Sequence, residues 1–230
     1  MYCIKRKQSL FFIGMFYMLC KLSAQENLTG YWQPQLSLNY EVAKNYSHNF
    51  SLAKRSYVFR DETFLFDIRQ LDLVHFSKLK VSGNQSLGFG IQYRFRETFE
   101  ENRGNELRLT QQYNITNKIR SLRLGNRFRA EQRITATATI HRFRYRLALD
   151  FPLQGESLDI GESYAIITTE ALLSTDKGQS SAYDQRLTTQ LGWLISDVTK
   201  FQIGTEFRAE NYSQSTEYVF FLLTGLVLSL

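Results

Sequence analysis

The sequence predicts an all-β protein: an antiparallel, up-and-down transmembrane β-barrel of twelve strands, with an arginine-rich lumen and ten strands as the runner-up count. Three features of the chain lead there. Apolar and polar residues alternate through segment after segment. Many of these segments run 11 to 15 residues, where soluble strands average about 5 to 6 and tilted membrane-crossing strands need about 9 to 11. Finally, 12 of the 18 arginines fall between Arg94 and Arg146.

The stretch HRFRYRLALDF (141–151) shows the pattern most plainly. Arg142, Arg144 and Arg146 occupy one parity, and Phe143, Tyr145, Leu147, Leu149 and Phe151 the other. Successive side chains of a strand point to opposite faces, so one face is apolar and the other cationic.

In chain order, period-two segments predict strands at 30–42, 46–59, 63–79, 85–98, 105–115, 120–134, 139–151, 160–173, 183–196, 200–211 and 217–230. Turn-forming clusters separate them: ITNK (115–118) and SDVTK (196–200) read as short turns at one end. EENRGN (100–105), TDKGQSS (175–181) and YSQST (212–216) read as loops at the other. Pro34 and Pro152 stand near a strand start and just past a strand end, where a missing N–H does least harm. Eleven segments conflict with the even strand number of bacterial single-chain barrels. The expectation of twelve therefore places one undetected strand within 28–80.

Residues 1–24 have the layout of a cleaved signal peptide: Lys5, Arg6 and Lys7, an apolar run from Leu10 to Leu19, then Ser23 and Ala24. Residues 25–230 are then the barrel. The leader removes four of the 28 basic residues and none of the 22 acidic ones, so the formal charge of +6 falls to +2. It also removes both cysteines, Cys3 and Cys20, leaving neither disulfides nor a thiolate metal site. No cofactor is expected, and no nucleic-acid partner, because most of the apparent basicity belongs to the leader.

The cost of burying charge in lipid assigns the two faces. One arginine facing mid-bilayer costs roughly 2 to 4 kcal/mol, and several strands carry two to four each. Facing lipid, they would exceed the 5 to 15 kcal/mol stability typical of a domain. The expected lumen lining is therefore Arg94, Arg96, Arg108, Arg123, Arg127, Arg129, Glu131, Arg133, Arg142, Arg144, Arg146, Glu170, Asp184, Arg186, Glu206 and Arg208. Glu106, Glu162 and Glu210 join the inward carboxylates, which are expected to fork with arginines on neighbouring strands. Aromatic residues bracketing the strands, such as Tyr31 with Trp32 and Tyr183 with Trp193, suit the girdles of a membrane barrel.

Four short motifs carry a family resemblance: RFRAEQR (127–133), HRFRYRLAL (141–149), TTEALL (168–173) and YDQRL (183–187). In this order they resemble the outer-membrane barrel family called domain of unknown function 2490. There an E-x-R strand, an R-x-R-x-R strand, an Asn-Glu pair and a D-Q-N-R segment recur. Thr169 stands where that pattern has Asn, and Arg186 follows Gln185 without an intervening Asn. The resemblance covers roughly residues 30 to 230. It implies a barrel in the bacterial outer membrane and no particular activity.

A fixed ring of arginines in a narrow lumen raises the local anion concentration. The leading functional expectation is thus a small porin-like passive pore favouring anionic solutes. Its alternative is a non-conducting barrel closed by an Arg/Glu network. A membrane-embedded lipid hydrolase or acyltransferase is a weaker third: there is no G-x-S-x-G, and the histidines are limited to His48, His75 and His141. The chain is accordingly not expected to be an enzyme. A loop-mediated adhesive barrel and a soluble secreted sandwich complete the field. Partners would be outer-membrane lipid, small anionic solutes, and the barrel-assembly machinery, which would engage the C-terminal strand carrying Leu226, Leu228 and Leu230.

Overall fold

In a computed structural model, which describes residues 28–176 and 180–230, every regular element is a β-strand. The signal-peptide expectation, 1–24, lies outside the described residues. The strands are β1 (Leu28–Ala43), β2 (Tyr46–Arg60), β3 (Thr63–Phe64), β4 (Ile68–Ser82), β5 (Gln85–Phe95) and β6 (Glu106–Ile119). They continue as β7 (Leu122–Ile134), β8 (Thr139–Pro152), β9 (Ser163–Thr175), β10 (Ala182–Ser196), β11 (Thr199–Glu210) and β12 (Glu217–Ser229). From β4 to β12 each strand pairs antiparallel with the next, and β4 pairs with β2, β2 with β1. The barrel closes where β1 meets β12 in parallel, in unbroken register from Leu28↔Tyr218 to Asn39↔Ser229.

Twelve strand segments are present, as expected, but only eleven are staves of the wall. The twelfth, β3, has two residues and pairs with β2 alone. The predicted strand 63–79 is broken at 65–67, which separate β3 from β4; just before it, Asp61 and Glu62 both take positive φ, 50° and 61°. That is the geometry of a tight hairpin turn, and it folds Thr63 and Phe64 back onto Arg60 and Phe59. The stave then restarts at Ile68. An odd number of staves cannot close with antiparallel pairs throughout, so the first and last strands run parallel. The turn expected at ITNK is displaced as well: residues 115–118 lie inside β6, which runs four residues past its expected end, and the reversal is made by Arg120, at φ 53°, with Ser121.

The connections sort by length onto two rims. At the turn rim, two-residue reversals join β1 to β2, β4 to β5, β6 to β7 and β10 to β11, and only 153–162 is longer. The loop rim holds 96–105, 135–138, the β9–β10 connection and 211–216.

Alternation decides what each face meets. On all eleven staves the outward positions include exposed apolar side chains, among them Leu36, Phe50, Leu73, Phe89, Ile119, Phe128, Phe143, Ile167, Leu187, Ile203 and Leu222. Polar residues on this outer face pair with each other. Gln111 and Gln132 exchange amide hydrogen bonds of 3.2 and 3.3 Å, Thr189 meets Thr205 at 3.2 Å, and Trp32 Nε1–H donates to Thr224 Oγ1 across the seam.

Candidate functional site

The inward faces surround a cavity of about 1120 Å³ whose wall includes thirteen arginines, two lysines and six carboxylates. Four further carboxylates, Glu100, Glu106, Glu131 and Asp184, pair with these cations. Fifteen cations against ten carboxylates leave five positive charges in excess. All sixteen expected residues project from the inward parity, and fifteen of them line the cavity or pair with its lining. Arg123 differs: it sits at the turn rim with its side chain 59% exposed and donates from Nε to Asp150 at 2.8 Å. Glu162, expected inward, lies in the loop before β9, where its carboxylate accepts the Asp159 N–H at 3.0 Å.

Two ion-pair clusters organise the interior. In the first, Arg94 forks Asp72 through two bonds of 2.7 Å and lies 3.9 Å from Glu106. Glu106, 1% exposed, accepts from Arg133 Nη2 at 2.7 Å and from Arg108. The second begins at Glu131, which pairs with Arg144 at 2.7 Å and Arg129 at 3.7 Å. It passes from Arg144 to Glu170 (3.4 Å), from Glu170 to Arg186 (3.6 Å), and on through Glu210 to Arg208 and Glu206. Arg142 joins it through Asp184 at 3.9 Å. Such forks between neighbouring strands follow from register, since Arg94 stands opposite Glu106 and Arg186 opposite Glu170.

The loop-rim half is tightly filled. Tyr31, Tyr57, Val219 and Phe221 form a buried cluster against which Leu65, just past the β2–β3 hairpin, packs. The Arg208 guanidinium lies 3.9 Å from the Phe221 ring centre and that of Arg55 4.8 Å, a cation–π sandwich. Glu100, from the 96–105 loop, accepts from Tyr57 Oη at 2.7 Å and pairs with Arg69. Toward the turn rim the lining is more open. There Gly90 lets the Phe76 ring lie across β5: a Cβ at Gly90 would sit 2.4 Å from it. Gly88 does the same for Gln112.

Four interior arginines have no carboxylate within ion-pair distance among the described residues. Arg55 donates to Gln33, Arg96 reaches Gln70 at 3.4 Å, and Arg127 donates from Nε to Asn114 at 2.8 Å. Among the described residues Arg146 makes neither hydrogen bond nor ion pair, and its Nε is buried. Register sets Arg127 directly opposite Arg146 and Arg129 opposite Arg144. Like charges about 5 Å apart repel by about 3 kcal/mol at an effective dielectric of 20.

Sequence parity left Arg55, Arg69, Gln70 and Asp72 out of the expected lining. The signal was partial. Gln70 and Asp72 alternate with Leu71 and Leu73, but inward Val74 and Phe76 then break the polar parity of β4. His48 and His75 lie on outward parity, 2.9 Å apart, with Ser77 Oγ 3.3 Å from His48; His141 also faces outward, opposite Gln132. Among the described residues no three His, Cys, Asp or Glu side chains are arranged to hold a metal ion.

A family model described as "Protein of unknown function (DUF2490)" matches residues 29–219, nearly the whole barrel. The chain belongs to the DUF2490 family. No curated protein matches it significantly. The motifs that carry the DUF2490 resemblance supply part of the second ion-pair cluster, Arg129, Glu131, Arg142, Arg144, Glu170, Asp184 and Arg186; Glu206, Arg208 and Glu210 come from β11. Thr169, in place of Asn, accepts from Gln185 Nε2 at 2.6 Å on the outer face.

Proposed function

We propose that this DUF2490 protein is a barrel of the bacterial outer membrane whose interior admits small anionic solutes through a narrow, anion-selective passage. The apolar belt on every stave and the pairing of outward polar groups suit a lipid environment, where no water satisfies them. The observation that carries selectivity is the five-charge cationic excess around a 1120 Å³ cavity. A wall of fixed positive charge concentrates anions and repels cations. The filled loop-rim half makes the passage narrow, so conductance is small.

Single-channel current from the refolded barrel in a planar bilayer under a salt gradient tests this. Small steps whose reversal potential shifts toward that of chloride are expected, with selectivity falling in Arg127→Gln/Arg146→Gln. Cation selectivity would overturn the reading. The second reading, a closed structural barrel, is favoured by Phe221 at 0% and Glu106 at 1% exposure. Silence from a demonstrably folded barrel would select it.

A further inference from the structure

The paired like charges at Arg127 and Arg146 call for an explanation, because a wall built only for stability would alternate signs there. Arg146 has a carboxylate on the neighbouring strand, Glu170 standing directly opposite it in register. Glu170 instead pairs with Arg144 and Arg186. The result is a guanidinium with no partner among the described residues, its Nε buried and unbonded, in the wall of two cavities: the main one and a smaller one of about 310 Å³.

Its neighbours are held in place. Asn114 accepts from Arg127 Nε at 2.8 Å and is anchored through its own amide to Ser86 Oγ at 3.2 Å. Gln112 Oε1 accepts both Arg129 Nε (3.2 Å) and Nη2 (2.7 Å). Neutral amides thus orient two guanidinium groups: that of Arg127 has no carboxylate within ion-pair distance among the described residues, and that of Arg129 has one, Glu131, at 3.7 Å, so N–H donors remain for a ligand. Guanidinium forks match the oxygen spacing of phosphate, and cross-strand residues stand close enough to share one oxyanion.

We propose that Arg127, Arg146 and Arg129 form a binding site for a small tetrahedral oxyanion, a free phosphate or the phosphate group of a small solute, taken up from the cavity. The site deepens the anion-passage reading and rests on its inward, solvent-reached arginines; conduction is not required for it. A bound dianion would bridge Arg127 and Arg146 and offset their mutual repulsion.

The test is calorimetric titration of inorganic phosphate into the folded barrel in phospholipid-free detergent, at fixed ionic strength in chloride. Saturable binding is expected. It should weaken at least tenfold in Arg146→Gln and in Arg127→Gln, and remain unchanged in the rim variant Arg123→Gln. Arg127→Lys, which keeps the charge and loses the fork, guards against a fold defect and is expected to weaken binding less than Arg127→Gln. Absence of saturable phosphate binding, or equal weakening by Arg123→Gln, would overturn the site. So would binding that appears only in vesicles containing phosphatidylglycerol, which would assign the phosphate to a lipid headgroup. Anion-selective current without phosphate binding would sink this site and leave the passage intact; phosphate binding by a silent barrel would do the reverse.

Discussion

Glu106→Gln removes one negative charge from the densest part of the interior. Glu106 is 1% exposed and takes hydrogen bonds from Arg133 and Arg108, with Arg94 at 3.9 Å. Glutamine preserves the shape and one acceptor oxygen, so the change isolates charge. Arg94 keeps its fork with Asp72, whereas Arg108 and Arg133 have no other carboxylate within 4.0 Å among the described residues. Breaking one partner out of a buried pair costs about 3 to 5 kcal/mol. The lower end applies here, because Arg133 remains 14% exposed and some water reaches it. With a urea m-value of about 3 kcal/mol per M, a loss of about 3 kcal/mol moves the midpoint down by about 1 M. Tryptophan fluorescence from Trp32 and Trp193 in lipid vesicles reads it, with the gel shift of the unheated barrel confirming folding before denaturant is added. A midpoint change below about 0.3 M would refute the reasoning: the first cluster would then be hydrated and would not seal the loop-rim half.

Two further outcomes concern the wall. Ile203→Arg places a charge on the outward face of β11 at mid-strand, opposite Leu191 and Thr224. In lipid vesicles it should cost about 2 to 4 kcal/mol by the same unfolding assay, and a neutral result would exclude lipid contact there. Cysteines introduced at Leu38 and Leu228, which are in register across the parallel seam, should join through a short bifunctional thiol crosslinker in the folded barrel. With antiparallel closure the two sites would stand at opposite rims and no crosslink would form.

How much of this was written in the sequence varies along the chain for identifiable reasons. From β5 to β12 the period-two alternation is clean, so strand bounds fell within a few residues of those observed and the inward arginines were all named. The one-sided chemistry of HRFRYRLALDF needs no tertiary information. In β2 to β4 the pattern misleads, because Val74 and Phe76 face inward, Phe76 where Gly90 on the next strand leaves room. That accommodation depends on register, which local sequence does not encode. The interruption at 65–67 was equally hidden, since apolar Leu65 and Phe66 read as a continuation of the strand that starts at Thr63. Individual pairings were beyond parity as well. Which carboxylate a given arginine chooses depends on neighbours two strands away, as Glu170 passing over Arg146 shows.

The seam between β1 and β12 also governs how the wall can be made. Every other stave contact joins strands that follow one another along the chain, so those pairs can form as local hairpins. The seam alone brings together residues separated by about 190 positions, as the Trp32 to Thr224 bond records. Closing a loop of that length costs about 5 kcal/mol in chain entropy beyond a constant, a penalty no earlier step meets. Among the contacts of this wall the seam has the largest sequence separation, the kind that forms slowest, and a sheet not yet closed has two free edges. Until it closes, both edges offer unpaired N–H and C=O groups to any neighbouring chain, so the concentration of unclosed sheets decides between monomeric barrels and aggregates.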